Sequence, residues 1–160
     1  MKESLAVLID ALDEAHISEW WILGGAATAL FTADYADVHD IDVLLSPTDA
    51  SRMIQRHPIA ERTDGGTERF RSEVYGTWHL LVPIDFLGGF QIRSDGLWTT
   101  IWPRTRHPLE TPAGTVFLPA IEEHIEITRL LGRPRDFERV ARLRQGSKAF
   151  YPVFRPPTHR

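Results

Sequence analysis

The sequence predicts an α/β (α+β) fold, a twisted mixed β-sheet flanked by helices, with two of the helices at the C-terminal end. Short apolar runs alternate with helical stretches at the start, strand patterns dominate residues 68–102, and helical patterns return after Pro119. The chain has 160 residues, of which 42% are hydrophobic, and this is enough for one core. We therefore expect a single domain over residues 1–150 and a Pro-rich tail over 151–160.

The first half of the chain shows helices and strands in alternation. Ser4 can cap a first helix, because apolar residues follow it at helical spacing. The further predicted elements are a strand at 20–23, a helix at 26–31, a strand at 40–45, and a helix from Thr48 or Asp49 to about Arg56.

The second half begins with strands and ends with helices. Two strands at 68–75 and 77–87 are predicted to join near Gly76, and Gly88-Gly89 marks the next turn. One or two short strands are predicted within 90–102, and another at 115–118. The last predictions are a helix from Pro119 to about Leu131, stopped by Gly132, and a helix from Pro134 to about Arg144.

Composition excludes several classes of protein. Cysteine is absent, which excludes disulfides, thiolate metal sites and cysteine nucleophiles. No apolar run approaches the length of a membrane span, and no charged-then-apolar leader is visible, so we expect a cytoplasmic protein without a membrane segment.

Charge is unevenly distributed along the chain. Residues 1–128 carry nine Lys and Arg against twenty Asp and Glu, whereas residues 129–160 carry nine against two. Two interpretations stay open: a basic helix packs on an acidic body, or some of its arginines bind phosphate.

Two carboxylates open the second predicted strand. Asp40 and Asp42 are two residues apart in an apolar stretch, so a strand would point both side chains to the same face. Side-by-side carboxylates repel unless a cation or proton lies between them. Mg²⁺ prefers oxygen ligands, so the pair is a candidate magnesium site, although most Asp-x-Asp pairs are merely solvated.

Asp85 is the candidate third carboxylate, which a two-ion site would need. It is the one acid in the apolar stretch 80–87, where a lone buried charge would be costly. Pro83 is unusual for a central strand, so Asp85 is expected at a strand end or beside a bulge.

Gly24-Gly25 ends the first predicted strand and precedes a helix. Glycine permits a close approach to the main chain, and N–H groups at a helix start can hold phosphate oxygens. The spacing fits neither a Walker loop nor a Gly-x-Gly-x-x-Gly fingerprint.

In this order, Gly24-Gly25, Asp40-x-Asp42 and Asp85 resemble the nucleotidyltransferase superfamily that includes DNA polymerase β. The resemblance is closest to a small Gly-Gly branch that contains antibiotic nucleotidyltransferases and abortive-infection type toxins. The segment 131–136, Leu-Gly-Arg-Pro-Arg-Asp, resembles a Gly-Arg-Pro-Lys-Asp segment of such proteins.

The resemblance implies a nucleotidyltransferase-like fold in which Asp40, Asp42 and Asp85 are the catalytic and metal-binding residues, with one or two Mg²⁺ ions. It also implies that Gly24 and Gly25 face the triphosphate of the substrate NTP. The arginines implied as nucleotide-binding residues are Arg129, Arg133 and Arg135.

The implied activity is transfer of a nucleoside monophosphate from an NTP such as ATP to a hydroxyl of a small molecule, a protein or tRNA. A toxin of a toxin–antitoxin pair, with an antitoxin or a second copy as its partner, is one version. Departures from the family pattern include the segment 35–39 before the acids and Arg135 in place of Lys. A catalytically degenerate relative that binds a nucleotide or a protein partner therefore stays open, as does a plain interaction domain.

Overall fold

The computed structural model describes residues 1–64 and 66–150, with side chains described up to residue 146. The predicted tail 151–160 lies outside the described residues. The helices are α1 (Lys2–Glu14), α2 (Gly24–Thr32), α3 (Pro47–Arg56), α4 (Ile121–Leu131) and α5 (Pro134–Phe150). The strands are β1 (Trp21–Leu23), β2 (Ile41–Leu45), β3 (Ala60–Arg62), β4 (Phe70–Arg71), β5 (Val74–Trp78), β6 (Ile84–Gly88), β7 (Gln91–Ser94), β8 (Leu97–Thr100), β9 (His107–Thr111) and β10 (Gly114–Leu118).

The main sheet has five strands in the order β1-β2-β6-β5-β3. Strands β2 and β6 pair in parallel, whereas the other three pairings are antiparallel, so the sheet is mixed. The predicted fold class, including the two C-terminal helices, is therefore confirmed. No helix among the described residues has both the length and the apolar character needed to cross a membrane.

The two faces of the main sheet bury different apolar clusters. On one face, the alternate strand residues pack with α1 and α3; this set contains Ile41, Val43, Leu45, Ile84 and Phe86. The opposite face packs against α4 and the strands after β6; this set contains Trp21, Leu44, Phe90, Ile92, Ile127 and Leu131. Strand alternation thus leaves Asp42 and Asp85 on the second face, beside an apolar cluster.

Two small sheets complete the fold. Strands β9 and β10 form a hairpin, and β10 contacts β1 and α1. Strands β4, β7 and β8 form a three-stranded antiparallel sheet. At the β7–β8 turn, Asp95 and Gly96 both have positive φ, as a type I′ hairpin turn requires.

Two local predictions were wrong, and two strands were not predicted. Gly76 does not join two strands, because it is buried within β5, and the break falls after Trp78. Ser4 is not a cap: it lies buried inside α1, where its Oγ accepts a hydrogen bond from Val82 N at 3.0 Å. Strands β3 and β9 were not predicted.

Candidate active site

Asp42 and Asp85 lie side by side on neighbouring strands. The parallel pairing of β2 with β6 sets them directly opposite each other, and adjacent strands run about 4.8 Å apart. Pro83 precedes β6 rather than interrupting it, and its carbonyl accepts a hydrogen bond from Ile41 N at 2.9 Å. Asp40 is exposed and immediately precedes β2. The three acids therefore lie near the start of two neighbouring strands and line one cleft.

Asp42 has the most perturbed carboxylate of the site. Burial, followed by the charges of Asp40 and Asp85, raises the pKa of Asp42 from 3.8 to about 7, while Arg139 and Arg133 act in the opposite direction. Because burial and neighbouring carboxylates destabilise the negative charge of Asp42, this position favours a bound cation.

Asp85 is held by two hydroxyl groups from β5. Thr77 Oγ1 donates to Asp85 Oδ1 at 2.6 Å, and Tyr75 Oη donates to Asp85 Oδ2 at 3.2 Å. Burial and the neighbouring Asp85 raise the pKa of Tyr75 to about 12, so the phenol stays protonated as a donor. Each carboxylate oxygen keeps a lone pair for another partner.

The Gly24-Gly25 turn lies against the acids. Gly24 has φ +63°, and a Cβ placed on it would lie 2.6 Å from Asp42 Oδ2. A Cβ on Gly25 would lie 2.6 Å from a guanidinium nitrogen, Nη2 of Arg139. The bare main chain at the start of α2 therefore lets an anion and a cation approach on its two sides.

A buried aspartate organises arginines at the start of α5. Asp136 is fully buried and pairs bidentately with Arg133, with Nε–Oδ2 at 2.6 Å and Nη2–Oδ1 at 3.0 Å. Arg139 Nη1 donates to Asp136 Oδ1 at 3.1 Å. Burial opposes the charge of Asp136, but these hydrogen bonds and the two guanidinium groups hold its pKa below its ordinary value. Arg133 N also donates to Asp136 Oδ2, so the aspartate caps the helix as well.

One cleft of about 290 Å³ brings most of the predicted site residues together. Its lining includes Gly24, Gly25, Asp40, Asp42, Asp85, Arg133, Arg135 and Arg139. Arg129 is the predicted residue that the structure does not bring there, since it is exposed on the last turn of α4 and outside the cleft lining. Trp98 and Trp102 also lie outside the cleft lining.

The acids suit a magnesium ion by donor chemistry. Among the residues that the structure describes, no three His, Asp or Glu side chains form a ready-made metal cage. Mg²⁺ usually takes only one or two protein carboxylates and fills its shell with water and substrate phosphate. Asp42, with its raised pKa, and the adjacent Asp40 and Asp85 fit that requirement.

Sequence reasoning missed Arg139, Tyr75 and Thr77. Arg139 lies three residues after Asp136, a spacing that puts both on one helix face and could have indicated the pair. Tyr75 and Thr77 alternate on β5, but their role depends on the pairing of β5 with β6, which the local sequence does not show.

Several solved structures share this fold. A Thermotoga maritima protein classified as a nucleotidyltransferase has a TM-score of 0.65 at 20% identity, covering 92% of this chain and 94% of that one. The lincosamide antibiotic adenylyltransferase LnuA, solved with lincomycin bound, has a TM-score of 0.61 at 11% identity, covering 90% and 96%. The antibiotic-resistance factor ANT(2'')-Ia has a TM-score of 0.50 at 15% identity, covering 94% and 86%. No family model and no curated protein matches the sequence.

Proposed function

We propose that this chain, which has the nucleotidyltransferase fold, is an Mg²⁺-dependent enzyme that transfers a nucleoside monophosphate from an NTP to an acceptor hydroxyl. The observation that carries the proposal is the register of Asp42 opposite Asp85, at a cleft that also contains Gly24-Gly25 and the α5 arginines. Phosphoryl transfer depends on positioning and charge neutralisation, and these groups supply both.

The triphosphate is assigned to the wall formed by the Gly24-Gly25 turn and α5. Main-chain N–H groups at the start of α2 can bind phosphate oxygens, and no Cβ obstructs them. Arg133 and Arg139, both oriented by Asp136, provide fixed positive charge from the other side.

Asp40 and Asp42, with Asp85, would hold one or two Mg²⁺ ions. The ion supplies neutralisation of the carboxylates and of the phosphate oxygens. Asp42, whose pKa lies near 7, is the carboxylate with most to gain from that neutralisation.

In this proposal, Asp85 accepts the proton of the acceptor hydroxyl. The acceptor oxygen forms a bond to the α-phosphorus, the bond from that phosphorus to the bridging α–β oxygen breaks, and pyrophosphate leaves. Thr77 and Tyr75 fix the orientation of Asp85 during this step, because each donates to one of its oxygens.

Label transfer is the direct test. The protein is incubated with α-³²P-labelled NTPs, starting with ATP because one fold neighbour is an antibiotic adenylyltransferase, together with Mg²⁺ and cell extract. Asp40→Ala/Asp42→Ala is the inactive variant. Asp10→Asn, an exposed acid on α1 at the other face of the sheet, is the matched control. Transfer by the wild type and Asp10→Asn but not by the double variant supports the proposal, and equal transfer by all three contradicts it.

A catalytically degenerate nucleotide-binding protein is the alternative, and the position of Arg139 favours it. Its guanidinium lies on Gly25, in the space that a phosphate would use. Mg²⁺-dependent NTP binding in calorimetry, without label transfer or pyrophosphate release, would select this alternative.

The proposal extends to the setting of the reaction. A cytoplasmic location fits an enzyme that consumes NTP. The protein would act as the toxin of a toxin–antitoxin pair, with an antitoxin as its partner, or as a homodimer whose second copy supplies acceptor-binding surface beyond this small cleft. The labelled product in the extract identifies the acceptor as a small molecule, a protein or RNA.

A further inference from the structure

The small sheet β4-β7-β8 carries cationic, amide and aromatic side chains on its outer face. Strand pairing sets Arg71 opposite Gln91, Gln91 opposite Thr100, and Arg93 opposite Trp98. Because side chains alternate along a strand, these five residues share one face, and we call it the Arg71–Trp98 face.

Two guanidinium groups flank one indole on this face. Arg71 Cζ lies 4.1 Å from the centre of the Trp98 ring, and Arg93 Cζ lies 6.0 Å from it. Arg71 Nε donates to Gln91 Oε1 at 2.5 Å, and Gln91 Nε2 donates to Thr100 Oγ1 at 3.0 Å. Within residues 1–64 and 66–146, neither guanidinium contacts a carboxylate, so both positive charges are available to an anion.

The Arg71–Trp98 face begins at the mouth of the cleft. Arg71 and Ser72 line the cleft that contains Asp85, while Arg71 also covers Trp98. On the cleft side, the ring centre of Phe70, the neighbour of Arg71, lies 5.0 Å from Cζ of Arg133. A linear anion leaving the cleft would therefore pass Arg71 first and reach Trp98 and Arg93 next.

We propose that the Arg71–Trp98 face binds a single-stranded nucleic acid, with phosphates on Arg71 and Arg93 and an unpaired base stacked on Trp98. This inference rests on the proposed function, because it identifies the acceptor as a nucleic acid whose terminal ribose hydroxyl enters the cleft. The bonds formed and broken are those already described for a general acceptor hydroxyl.

The combination of groups favours nucleic acid over other occupants. Guanidinium groups without a carboxylate partner select an anion, and the partly exposed Trp98 ring beside Arg71 selects a flat base, a pair that single strands satisfy and an acidic peptide does not. The acid of the β7–β8 hairpin, Asp95, lies at its turn and is not among the residues that line the cleft. A cationic acceptor would be repelled by Arg71 and Arg93.

Fluorescence anisotropy with labelled 12-nucleotide RNA and DNA of one mixed sequence tests the inference without NTP or Mg²⁺. The wild type should bind at least one strand, and tightly enough to follow between 50 and 200 mM salt. Arg71→Gln/Arg93→Gln should weaken binding by tenfold or more and flatten the salt dependence, by roughly 0.7 in log–log slope per lost contact. Trp98→Leu should weaken binding roughly tenfold, as the loss of one stacked base does.

Matched variants control for general loss of charge and aromatic surface. Arg52→Gln/Arg56→Gln removes two arginines from α3, which packs on the opposite face of the main sheet. Tyr35→Leu removes a side chain that is 48% exposed and outside the Arg71–Trp98 face. Both controls should bind like the wild type, and circular dichroism should show that every variant is folded.

Three results would overturn the inference: no binding of either strand by the wild type, equal losses in the α3 control, or competition by a polyglutamate peptide with no effect of Trp98→Leu. The last result would assign the Arg71–Trp98 face to an acidic protein.

The outcome of this test can be distinguished from the outcome of the test of the proposed function. Strand binding that depends on Trp98, without nucleotidyl transfer to any acceptor, supports the nucleic-acid surface and contradicts the proposed enzyme activity. Nucleotidyl transfer without strand binding supports the enzyme activity and contradicts the nucleic-acid surface.

Discussion

Arg139 lies directly over Gly25: a Cβ on this glycine would be 2.6 Å from Arg139 Nη2 and 3.2 Å from its Cζ. The first turn of α2 therefore contacts a side chain of α5 at a position where α2 itself has no side chain. The guanidinium also forms an ion pair with Asp136 and is half-buried, so it differs from a freely solvated surface charge. This contact joins the predicted phosphate-binding turn to the basic C-terminal helix.

Alanine at the two glycines should separate stability from nucleotide binding. Gly25→Ala should lower the free energy of unfolding less than Gly24→Ala does, because Gly25 needs no positive φ, but it should weaken NTP binding roughly tenfold in calorimetry because the guanidinium of Arg139 must move. Gly24→Ala should lower the free energy of unfolding by about 1–2 kcal/mol, because φ +63° is unfavourable for alanine. It also crowds Asp42 Oδ2.

Equal unfolding midpoints for the two alanine variants in urea would contradict this reading. Gly96→Ala is a useful control, since it too has positive φ but no atom within 4 Å of its added Cβ. It should reproduce the backbone penalty of Gly24→Ala without any change in NTP affinity.

The sequence predicted the fold class because apolar periodicity is a local signal. It could not predict the register of Asp42 with Asp85, which depends on a parallel pairing of strands about forty residues apart. Gly76 shows the same limit. Read locally it marks a turn, but a Cβ there would lie 2.7 Å from Ile59 and 3.0 Å from Ile54, so the glycine serves packing.

The candidate site was predictable where residue type alone carries the chemistry. Two acids in an apolar strand, a third in another, and a glycine pair indicated a cleft, and the structure places them together. Arg129 was implied as a nucleotide-binding residue by the family resemblance, but it is exposed on α4 and lies outside the cleft lining. The assigned roles of all these residues stay predictions.

Asp136→Asn should lower both the stability of the protein and its affinity for the NTP triphosphate. Removing the charge leaves Arg133 and Arg139 without their buried counter-ion, and breaking such a pair costs about 3–5 kcal/mol. Urea unfolding should show that loss, and calorimetry under folding conditions should show weaker NTP binding. Glu138→Gln, an exposed acid on the same helix, should change neither quantity.

Mg²⁺ should stabilise the wild type through its acids. Binding to the folded state raises the thermal midpoint with ion concentration, and the rise should be larger with a non-hydrolysable NTP analogue present. Asp40→Ala/Asp42→Ala should lose the Mg²⁺-dependent shift, whereas Asp10→Asn should keep it. A shift of equal size in all three proteins would assign the ion effect to the general surface.

His124 should make stability fall in mild acid. This residue of α4 is fully buried against α2, with its Nε2 3.3 Å from Thr28 Oγ1 and its Nδ1 without a partner in the described residues. Burial, and then the charge of Arg139, lower the pKa of His124 from 6.5 to about 4. The folded protein therefore keeps this imidazole neutral down to about pH 4, whereas the same side chain in the unfolded chain is protonated below about pH 6.5.

The sign follows from that difference in proton uptake. The contribution of His124 is complete above pH 6.5 and is lost as pH falls towards 4, by about 3 kcal/mol in the free energy of unfolding. Asp136 acts in the same direction and Asp42 in the opposite one, so the measurement is a difference between proteins. Urea unfolding of His124→Asn should show a shallower decline from pH 7 to 4 than the wild type. His107→Asn, at an exposed histidine of β9, should follow the wild-type curve. Parallel curves for His124→Asn and the wild type would mean that the buried imidazole accepts its proton without unfolding.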